Sequence, residues 1–433
     1  MKRFAIKILK AWKEGLNRKP LVLSGARQVG KTWLMRAFGK EAFANVAYIN
    51  FDGNPRMGQL FSLDYSIPRL LSGLQAESGT VIKPGKTLII FDEIQTNPAA
   101  LTSLKYFCEE VPDYAIIAAG SLLGVSLQQG TGFPVGKVDT LDLYPMSFTE
   151  FLAALGEDQL AEMLNRRDWG LITAFKSKYI DWLRNYYFVG GMPEAVAVFS
   201  KSRSYADVRQ VQQRLIRDYE RDFSKHAPTE IVPRLRLLWN SIPAQLAKEN
   251  KKFFYGLVRA SARAKDFEAA MQWLIGAGLI YKVDHVSKPN IPLSAYTESA
   301  FKLFTLDVGL LTAQCRLDVK TLLEGNTIFT EFKGALTEQY VQQQLRAECD
   351  IIPNYWSSSS GNAEVDFLFQ EGKEIIPVEV KAEENLRAKS LKTYAQTFSP
   401  KIAIRTSMSD YRKETWLINL PLYAIGQIQK ECD

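Results

Sequence analysis

The sequence of 433 residues has few of the side chains on which metal centres and nucleophilic sites most often depend. It contains two histidines, His226 and His285, and four cysteines that follow no Cys-x-x-Cys or Cys/His spacing. The sequence therefore argues against a structural zinc site, a histidine-based metal site and a histidine-containing catalytic triad. Cysteines scattered in this way indicate a reducing compartment.

Long apolar runs are also missing. No stretch approaches the roughly 18 consecutive apolar residues that span a membrane, and the basic stretch Met1–Lys10 has too short an apolar part for a signal peptide. We therefore expect a cytoplasmic protein without a membrane partner. Its 46% hydrophobic residues predict globular cores, divided among about two to four domains. A net charge of +7 permits contact with nucleic acid without requiring it.

What the sequence does contain is a glycine-rich loop of the form G-x-x-x-x-G-K-T at Gly25–Thr32. The apolar run Leu21–Leu23 precedes it and a helix-forming stretch begins at Trp33, which is the strand-loop-helix setting of a P-loop. Its glycines let backbone N–H groups surround a phosphate, Lys31 reaches the β- and γ-phosphates, and Thr32 offers a hydroxyl to Mg²⁺. The alternative is an ordinary glycine turn. The residues that we expect to bind ATP here are Gly25, Ala26, Arg27, Gln28, Val29, Gly30, Lys31, Thr32 and Trp33.

A second motif is typical of the same chemistry. The apolar run Thr87–Phe91 ends in Asp92 and Glu93, the Walker B pattern, in which a strand delivers carboxylates to the sheet edge where the phosphates lie. We expect Asp92 to hold Mg²⁺, directly or through water, and Glu93 to orient or deprotonate the attacking water. The next apolar strand, Ala115–Ala119, leads to Ser121, which is either a sensor near the γ-phosphate or the N-cap of a helix.

Four stretches together, GARQVGKT, IIFDEIQ, AAGS and LYPMSFTEFL, resemble those of the bacterial and archaeal AAA-type ATPases that carry a C-terminal domain of unknown function. These are relatives of the archaeal ATPases and of the signalling STAND class. The resemblance implies a P-loop fold with an additional strand and ATP hydrolysis. Relatives usually have Gly-Arg where this chain has Gly136-Lys137. At this position the chain therefore lacks an arginine that could act in trans as a finger. Lys137, Arg217 and Arg221 are the candidates for that role.

The middle of the chain, from Gln159 to about Ile242, has a helical pattern that is broken at Gly190–Glu194, a stretch that resembles Gly-Gly-Met-Pro of the same family. A row of arginines between Arg203 and Arg221 predicts either contact with a nucleotide or DNA backbone, or a solvated face paired with neighbouring acids. Residues 234–286 predict three helices and a wing-like strand, a module that binds DNA or protein. Its basic surface would come from Lys251, Lys252, Arg259, Arg263 and Lys265. Further on, Lys302–Leu310 resembles the family's strand followed by Asp-x-Gly-Leu, or is an ordinary strand and turn.

The C-terminal region carries the second chemical signal, in a predicted order α-β-β-β-α-β. Residues two apart on a strand share one face, so Glu379 and Lys381 project together, as do Glu364 and Asp366 on the neighbouring strand. Asp366, Glu379 and Lys381 form D-(x)n-E-x-K, the signature of the PD-(D/E)XK nuclease fold. The usual proline before the first acid is replaced by Val365.

In that chemistry Asp366 and Glu379 hold Mg²⁺ or Mn²⁺ and Lys381 orients the attacking water and offsets charge. Glu338, on the preceding helix, is the candidate for a further metal ligand. The alternative is a charged strand pair on a structural domain, and catalysis at this site is a question separate from its fold.

We therefore predict an α/β protein with a P-loop AAA-type ATPase domain (1–155), a helical linker or lid (156–228), a winged-helix-like domain (229–290) and a restriction-endonuclease-like α/β domain (291–433). Its expected function is ATP binding and hydrolysis, with the nucleotide state coupled to DNA binding or metal-dependent DNA cleavage. The alternative is a STAND-like regulatory switch, in which the nuclease-like domain is a non-catalytic module that binds protein or DNA. A homo-oligomer or a protein partner fits either function.

Overall fold

The computed structural model describes residues 2–121, 125, 133–248, 251–324, 330–384 and 387–432. They form two compact units, one of residues 2–144 with 276–278 and one of residues 145–275 with 279–433. The division into four domains stays a prediction. Within these described ranges no helix combines the length and the apolar character needed to cross a membrane.

The first unit is built on a five-stranded sheet in which every pairing is parallel. Its strands in chain order are β1 (Leu21–Ser24), β2 (Asn45–Asn50), β3 (Thr87–Asp92), β4 (Ala115–Ala119) and β5 (Asp139–Asp142). The spatial order is β2-β3-β4-β1-β5, so β4 lies between the strands of the two nucleotide motifs. This is the additional strand that the sequence predicted. Strands β3 and β4 are buried along their whole length, as expected for parallel strands that are covered on both faces.

Helices surround this sheet. They are α1 (Ala5–Glu14), α2 (Lys31–Ala42), α3 (Pro55–Leu63), α4 (Ile67–Ser78) and α5 (Pro98–Glu110). A cluster of phenylalanines forms part of the core, where Phe91 of β3 meets the rings of Phe51, Phe61 and Phe107 at centroid distances of 5.3, 5.9 and 6.4 Å. Edge-to-face packing of this kind favours a well-defined core, and it fixes the strand that ends in Asp92.

The second unit begins with helices, as the periodicity of the sequence predicted. They are α6 (Phe148–Ala154), α7 (Asp158–Arg166), α8 (Trp169–Ala174), α9 (Lys176–Val189), α10 (Pro193–Ser202) and α11 (Tyr205–His226). The predicted break is confirmed, because α9 ends before Gly190 and α10 begins at Pro193, where a proline fits the first turn of a helix.

The next segment contains the predicted three helices and a strand, α12 (Val232–Leu246), α13 (Tyr255–Val258), α14 (Ala264–Gly276) and β6 (Ile280–Val286). Strand β6 pairs antiparallel with β7 (Thr297–Thr305) on one side and parallel with β8 (Asn354–Ser357) on the other. A local wing would leave one of its edges open. The strand that the sequence assigned to a wing is thus also a member of the large C-terminal sheet, and the winged-helix assignment stays a prediction.

That sheet has eight strands in the order β12-β13-β11-β10-β9-β8-β6-β7. The remaining elements are α15 (Val308–Gln314), α16 (Val319–Glu324), α17 (Thr330–Ala347), β9 (Glu364–Glu371), β10 (Glu374–Val380), α18 (Lys389–Phe398), β11 (Ala403–Ser407), β12 (Arg412–Lys413) and β13 (Leu417–Pro421). The succession α17-β8-β9-β10-α18-β11 has the predicted order α-β-β-β-α-β. Strands β8, β9 and β10 pair antiparallel and β10 pairs with β11 parallel.

Two of the motifs in the second unit meet at Asp307. Its carboxylate accepts hydrogen bonds from the backbone N–H of Gly191 (2.6 Å), from that of Leu310 (3.0 Å) and from the side-chain amide of Gln343 (3.1 Å). Burial raises the pKa of Asp307 to about 6. Gly190 has a backbone that only glycine adopts readily (φ 73°, ψ −168°), and a Cβ there would lie 2.2 Å from Asp307 Oδ1. The Gly-Gly stretch and the Asp-x-Gly-Leu stretch are therefore one buried junction.

Candidate nucleotide site and C-terminal acidic cluster

The glycine loop lies between the end of β1 and the start of α2. Gly25 (φ 134°) and Gly30 (φ 97°) have left-handed backbones, and Gly30 caps the helix that begins at Lys31. A Cβ on Gly25 would lie 2.2 Å from the carbonyl oxygen of Leu143, so this position requires glycine. The first turn of α2 therefore directs its free N–H groups and its positive end towards the loop, which is the arrangement that binds phosphate.

Lys31 is buried, and its Nζ donates to the carbonyl oxygens of Gly25 and Ala26, both at 2.8 Å. Burial lowers the pKa of Lys31 to about 8, although Glu93 and Asp92 oppose this effect. The ammonium thus lies within the loop and close to the Walker B acids. A phosphate bound in the loop would give it a stronger partner than two carbonyl groups.

Thr32 and Asp92 come together at the same edge of the sheet. The Thr32 hydroxyl donates to Asp92 Oδ2 at 2.7 Å, and the Tyr48 hydroxyl donates to the same oxygen at 2.8 Å. The guanidinium of Arg36 lies over the Tyr48 ring, 3.8 Å from its centroid. A hydroxyl and a carboxylate in contact fit Mg²⁺, which takes oxygen ligands and usually keeps several waters.

Glu93 follows Asp92 with a left-handed backbone (φ 53°), an unusual conformation for this residue type. Its carboxylate accepts hydrogen bonds from the Ser121 hydroxyl at 3.2 Å and from the Gln95 amide at 2.6 Å. The strand order brings Ser121 here, because it follows β4, the neighbour of β3. The alternative that Ser121 caps a helix concerns residues 122–124, which lie outside the described residues.

The other predicted loop residues differ in exposure. Ala26 and Val29 are buried, Arg27 is half-buried and Gln28 is exposed. Trp33, on α2, is 45% exposed, a large share for an aromatic side chain. These five residues stay predicted ATP contacts.

Sequence reasoning missed Tyr48 and Gln95, both of which bond a Walker B carboxylate. Each had a weak signal. Tyr48 lies on the half-exposed face of β2, whose other face is formed by the buried Ala47 and Ile49. Gln95 lies two residues after Glu93, but it belongs to a short 3₁₀ turn. The alternation of side chains along the strand therefore does not predict where Gln95 points.

The arginine-finger candidates have different surroundings. Lys137 pairs with Glu109 at 2.9 Å and Arg221 pairs with Asp218 at 3.4 Å, both on the surface. Arg217 lines an open cleft of about 630 Å³ on α10 and α11. The pairing of Arg221 agrees with a solvated helix face, and the assignment of a finger stays a prediction.

The C-terminal carboxylates lie on neighbouring strands. Phe367 of β9 is paired with Val378 of β10, so the adjacent Asp366 and Glu379 occupy the opposite face of the sheet. The Val380 N–H donates to Asp366 Oδ2 at 2.7 Å. Lys381 Nζ lies 2.7 Å from Glu379 Oε1. The alternation that the sequence predicted for these acids agrees with the register of the sheet.

Glu338, on α17, is buried beside two lysines. Lys251 Nζ lies 2.6 Å from Glu338 Oε1, and Lys302 Nζ lies 3.6 Å from Glu338 Oε2 and 2.5 Å from Glu364 Oε1. The expectation that Lys251 belongs to a basic surface was wrong, because its side chain is only 13% exposed and is paired with an acid. Sequence reasoning had no signal for this contact, which joins residues 87 positions apart.

The charged groups of this cluster shift each other's pKa values. Burial, and then the nearby Glu338, raises the pKa of Asp366 to about 8. Burial also acts to raise the pKa of Glu338, but Lys251 and Lys302 outweigh it and lower that pKa. Burial opposes the charge on Lys302 and Lys251, yet their acidic neighbours raise the pKa of both. The cluster is thus a buried network in which lysines compensate carboxylates.

Two buried oxygens of the cluster are of the chemical kind that binds a divalent cation. Glu338 Oε2 and Glu379 Oε2 are buried and accept no hydrogen bond. Over the described ranges, however, no three His, Cys, Asp or Glu side chains are grouped to hold a metal ion. The oxygens are therefore suitable in kind, but Lys302 lies 3.6 Å from Glu338 Oε2 and Lys251 is paired with the other oxygen of the same carboxylate.

Three family matches cover different parts of the chain. Residues 17–152 match the family described as an AAA domain. Residues 180–321 and 333–423 match families described as domains of unknown function, DUF8612 and DUF4143. None of the curated proteins matches the sequence.

Several solved structures are similar to parts of this chain. The Walker-type ATPase PABY2304 of Pyrococcus abyssi is 17% identical with a TM-score of 0.45, over 73% of this chain and 96% of that one. The Aeropyrum pernix ORC1 protein in complex with DNA is 12% identical with a TM-score of 0.27, over 72% and 90%. The Thermotoga maritima RuvB Holliday junction branch migration motor is 16% identical with a TM-score of 0.26, over 66% and 88%.

The glycine loop, the buried lysine, the contact between Thr32 and Asp92 and the added strand β4 all occur within the matched region. Residues 17–152 therefore match an AAA domain and have the parallel sheet and the nucleotide-site geometry of a P-loop ATPase.

Proposed function

We propose that this chain is an ATP-hydrolysing switch whose C-terminal unit binds nucleic acid. The observation that carries the first half is the convergence of Lys31, Thr32, Asp92 and Glu93 at one edge of a parallel sheet. That edge is where ligands bind in open α/β sheets. The second half is supported by a basic cleft at the edge of the C-terminal sheet.

Each residue of the nucleotide site has a role that follows from its position. Lys31 would neutralise charge on the β- and γ-phosphates, and Thr32 and Asp92 would hold Mg²⁺. Bound Mg²⁺ supplies charge neutralisation between those phosphates. Glu93 would accept a proton from the attacking water or orient it. Ser121 and Gln95 hold the Glu93 carboxylate in one place, as such a role requires.

The pKa of Lys31 predicts how ATP affinity depends on pH. Because burial lowers that pKa to about 8, the ammonium is charged below pH 8 and loses its proton above it. Above pH 8, binding of ATP then requires Lys31 to take up a proton from the solvent, so the Kd should rise up to about tenfold per pH unit. Calorimetric titration of ATP with Mg²⁺ at pH 7, 8 and 9 measures this. A Kd that stays constant from pH 7 to pH 9 would contradict it, and Lys31→Met supplies the control without a titrating ammonium.

The cleft has a volume of about 490 Å³ and lies between the turn after α7, strand β12 and the end of the chain. The rings of Trp169 and Tyr411 stack in it with centroids 4.1 Å apart and planes 3° from parallel. Its lining residues are Arg166, Arg167, Trp169, Tyr411, Lys413, Lys430 and Glu431. Four cations and one acid give it a net positive charge, and aromatic rings beside cations are typical of surfaces that bind single-stranded nucleic acid.

Within the cleft, the acid is already compensated. Glu431 accepts a hydrogen bond from the Tyr411 hydroxyl at 2.7 Å and pairs with Arg167 at 3.2 Å. The charges of Lys413 and Lys430 are therefore not neutralised by Glu431. We expect these two lysines to contact phosphates.

Reversal of both charges, in Lys413→Glu with Lys430→Glu, should weaken binding of a labelled single-stranded oligonucleotide by about tenfold or more at low salt. The reason is that each phosphate contact releases counterions, so the variant should also have a smaller slope of log Kd against log salt. Fluorescence anisotropy at several salt concentrations measures both quantities. The matched control is Lys392→Glu, an exposed lysine on α18. Equal affinities for wild type and the double variant would refute this surface.

A second function, metal-dependent cleavage of a phosphodiester, is favoured by one observation. Asp366 and Glu379 lie on the same face of adjacent strands, and Lys381 is in contact with Glu379. Carboxylates with a neighbouring lysine match the donor set that such chemistry uses. Cutting of labelled DNA in Mn²⁺ that disappears in Glu379→Gln would establish it. Assembly into a homo-oligomer, or with a protein partner, stays a prediction.

A further inference from the structure

A buried cation connects the start of the chain to the nucleotide loop. Arg3 precedes α1 and is 8% exposed. Its Nη1 donates to the carbonyl oxygen of Val29 at 2.9 Å, and its Nη2 donates to that of Tyr144 at 2.7 Å. The planar guanidinium carries several N–H groups in a fixed fork, so one side chain holds two backbone segments at once. The nucleotide loop is thus tied to the segment that follows β5.

The contact with Val29 fixes the orientation of one peptide group in the loop. In a trans peptide the carbonyl and the following N–H point to opposite sides. Because Arg3 holds the Val29 carbonyl, the N–H of Gly30 is directed away from Arg3. Backbone N–H groups are the part of a P-loop that surrounds the phosphates. The contact with Arg3 therefore keeps the acceptor side of this peptide away from a bound phosphate.

This stretch of the loop has a backbone that needs support. Val29 is fully buried and lies between two left-handed residues, Gln28 (φ 66°) and Gly30 (φ 97°). A left-handed backbone is unfavourable for glutamine and persists only where the surrounding structure holds it. The bond from Arg3 is such a constraint, because it fixes the peptide that joins Val29 to Gly30.

The other end of the loop is also in contact with a distant segment. Gly278 follows α14 with a left-handed backbone (φ 70°), and a Cβ there would lie 3.1 Å from the backbone nitrogen of Ala26. Residues 276–278 belong to the same compact unit as the loop. Arg3 and Gly278 both lie outside residues 17–152, the part of the chain that matches the AAA domain. The loop is therefore supported by two segments that the family match does not include.

We propose that Arg3 is a positioning residue of the nucleotide site, which holds the Val29–Gly30 peptide in the orientation that binds phosphate. The inference rests on the proposed ATP function, because it concerns the same loop. ATP and ADP both place phosphates in the loop, so Arg3 contributes to the binding of both. An interaction that is the same in the bound state and in the transition state changes affinity and not the rate at saturation.

The test compares Arg3→Met with wild type, since methionine removes the guanidinium and keeps an apolar stem. We expect the Kd of ATP with Mg²⁺, and that of ADP, to rise about tenfold or more, because hydrogen bonds from a charged donor are among the stronger ones. The kcat at saturating ATP should stay within about twofold of wild type. Calorimetric titration gives both Kd values, and phosphate release gives kcat.

Two further variants separate positioning from a general effect on charge or folding. Lys7→Met removes one charge from an exposed lysine of α1 and should bind ATP as wild type does. Arg3→Lys keeps the charge but replaces the fork by a flexible ammonium, so its Kd should lie between those of wild type and Arg3→Met. Melting temperatures are measured without nucleotide, and the affinities are compared at a temperature where each variant is folded.

The outcomes distinguish this inference from the ATP function. Equal Kd values in wild type and folded Arg3→Met would overturn the inference and leave the ATP function intact. A lower kcat at an unchanged Kd would overturn it as well, because Arg3 would then act on the reaction and not on binding. If Arg3→Met does not fold, Arg3→Lys decides, and a wild-type Kd in that variant would overturn the role of the guanidinium. A wild type that does not bind ATP would overturn the ATP function, and this inference with it.

Discussion

Replacement of Glu93 by glutamine should lower the rate of ATP hydrolysis by about 10²- to 10⁴-fold, which is the usual contribution of a general base. ATP affinity should change little, because the carboxamide keeps the shape of the side chain and Lys31, Thr32 and Asp92 remain. Ser121 can still donate to the amide oxygen at this position. Phosphate release at saturating ATP gives the rate, and calorimetric titration gives the affinity.

The control is Glu41→Gln, a surface glutamate of α2 that pairs with Lys10. It has the same chemistry and is remote from the Walker B acids, so it should hydrolyse ATP as wild type does. A Glu93→Gln protein that retains more than about half of the wild-type rate would exclude Glu93 as the base. Lost affinity in that variant would indicate instead that Glu93 supports the shape of the site.

Gly190→Ala should lower the free energy of unfolding by about 4 kcal/mol. A backbone at φ 73° and ψ −168° is accessible almost only to glycine, at a cost of about 1–3 kcal/mol for other residues. In addition, the new Cβ would lie 2.2 Å from Asp307 Oδ1, which would force the carboxylate away from the N–H groups of Gly191 and Leu310. Buried donors left without an acceptor cost roughly 1–3 kcal/mol each. Urea unfolding followed by tryptophan fluorescence measures the change.

Gly361→Ala is the matched control. Gly361 has nearly the same φ, 72°, but a Cβ there meets nothing within 4 Å. It should cost about 1 kcal/mol from backbone strain alone. Similar losses in the two variants would show that the contact with Asp307 contributes nothing beyond the backbone. Gly190 and Gly361 lie in the same compact unit, so their free energies of unfolding are compared for the transition that both substitutions shift.

The nucleotide site was predictable because its signals are local in sequence. Gly25, Gly30, Lys31 and Thr32 lie within eight residues, and the loop geometry follows from their types. Asp92 and Glu93 follow an apolar strand, and parallel strands place such residues at one edge. The strand alternation that unites Asp366 with Glu379 was accessible for the same reason.

What the sequence could not provide is the identity of distant neighbours. The contact of Glu338 with Lys251 joins residues 87 apart, and nothing in the pattern around either one indicates the other. The same limit applies to β6, whose residues predict a strand but not that β8 pairs with it. A strand's partners are chosen by packing over the whole unit.

Helix α17 illustrates a different limit. Gln339, Gln343 and Gln344 look like a solvated face, yet all three are buried. Gln339 bonds the backbone of Thr305, and the Gln343 and Gln344 oxygens accept from the N–H groups of Val308 and Phe148. The amides thus satisfy backbone groups of other elements, a role that has no signature in local periodicity.

Because β6 pairs with both β7 and β8, a C-terminal fragment that lacks β6 cannot keep its sheet intact. A fragment that begins at residue 291 would lose β6, so the edge of β8 would be open and β7 would have no partner in the sheet. Open edges of this kind recruit strands from other molecules. Such a fragment would also lack Lys251, and with it part of the positive charge beside Glu338. The acidic cluster is therefore not a transferable module, and its chemistry belongs to a chain that keeps residues 145–290 attached.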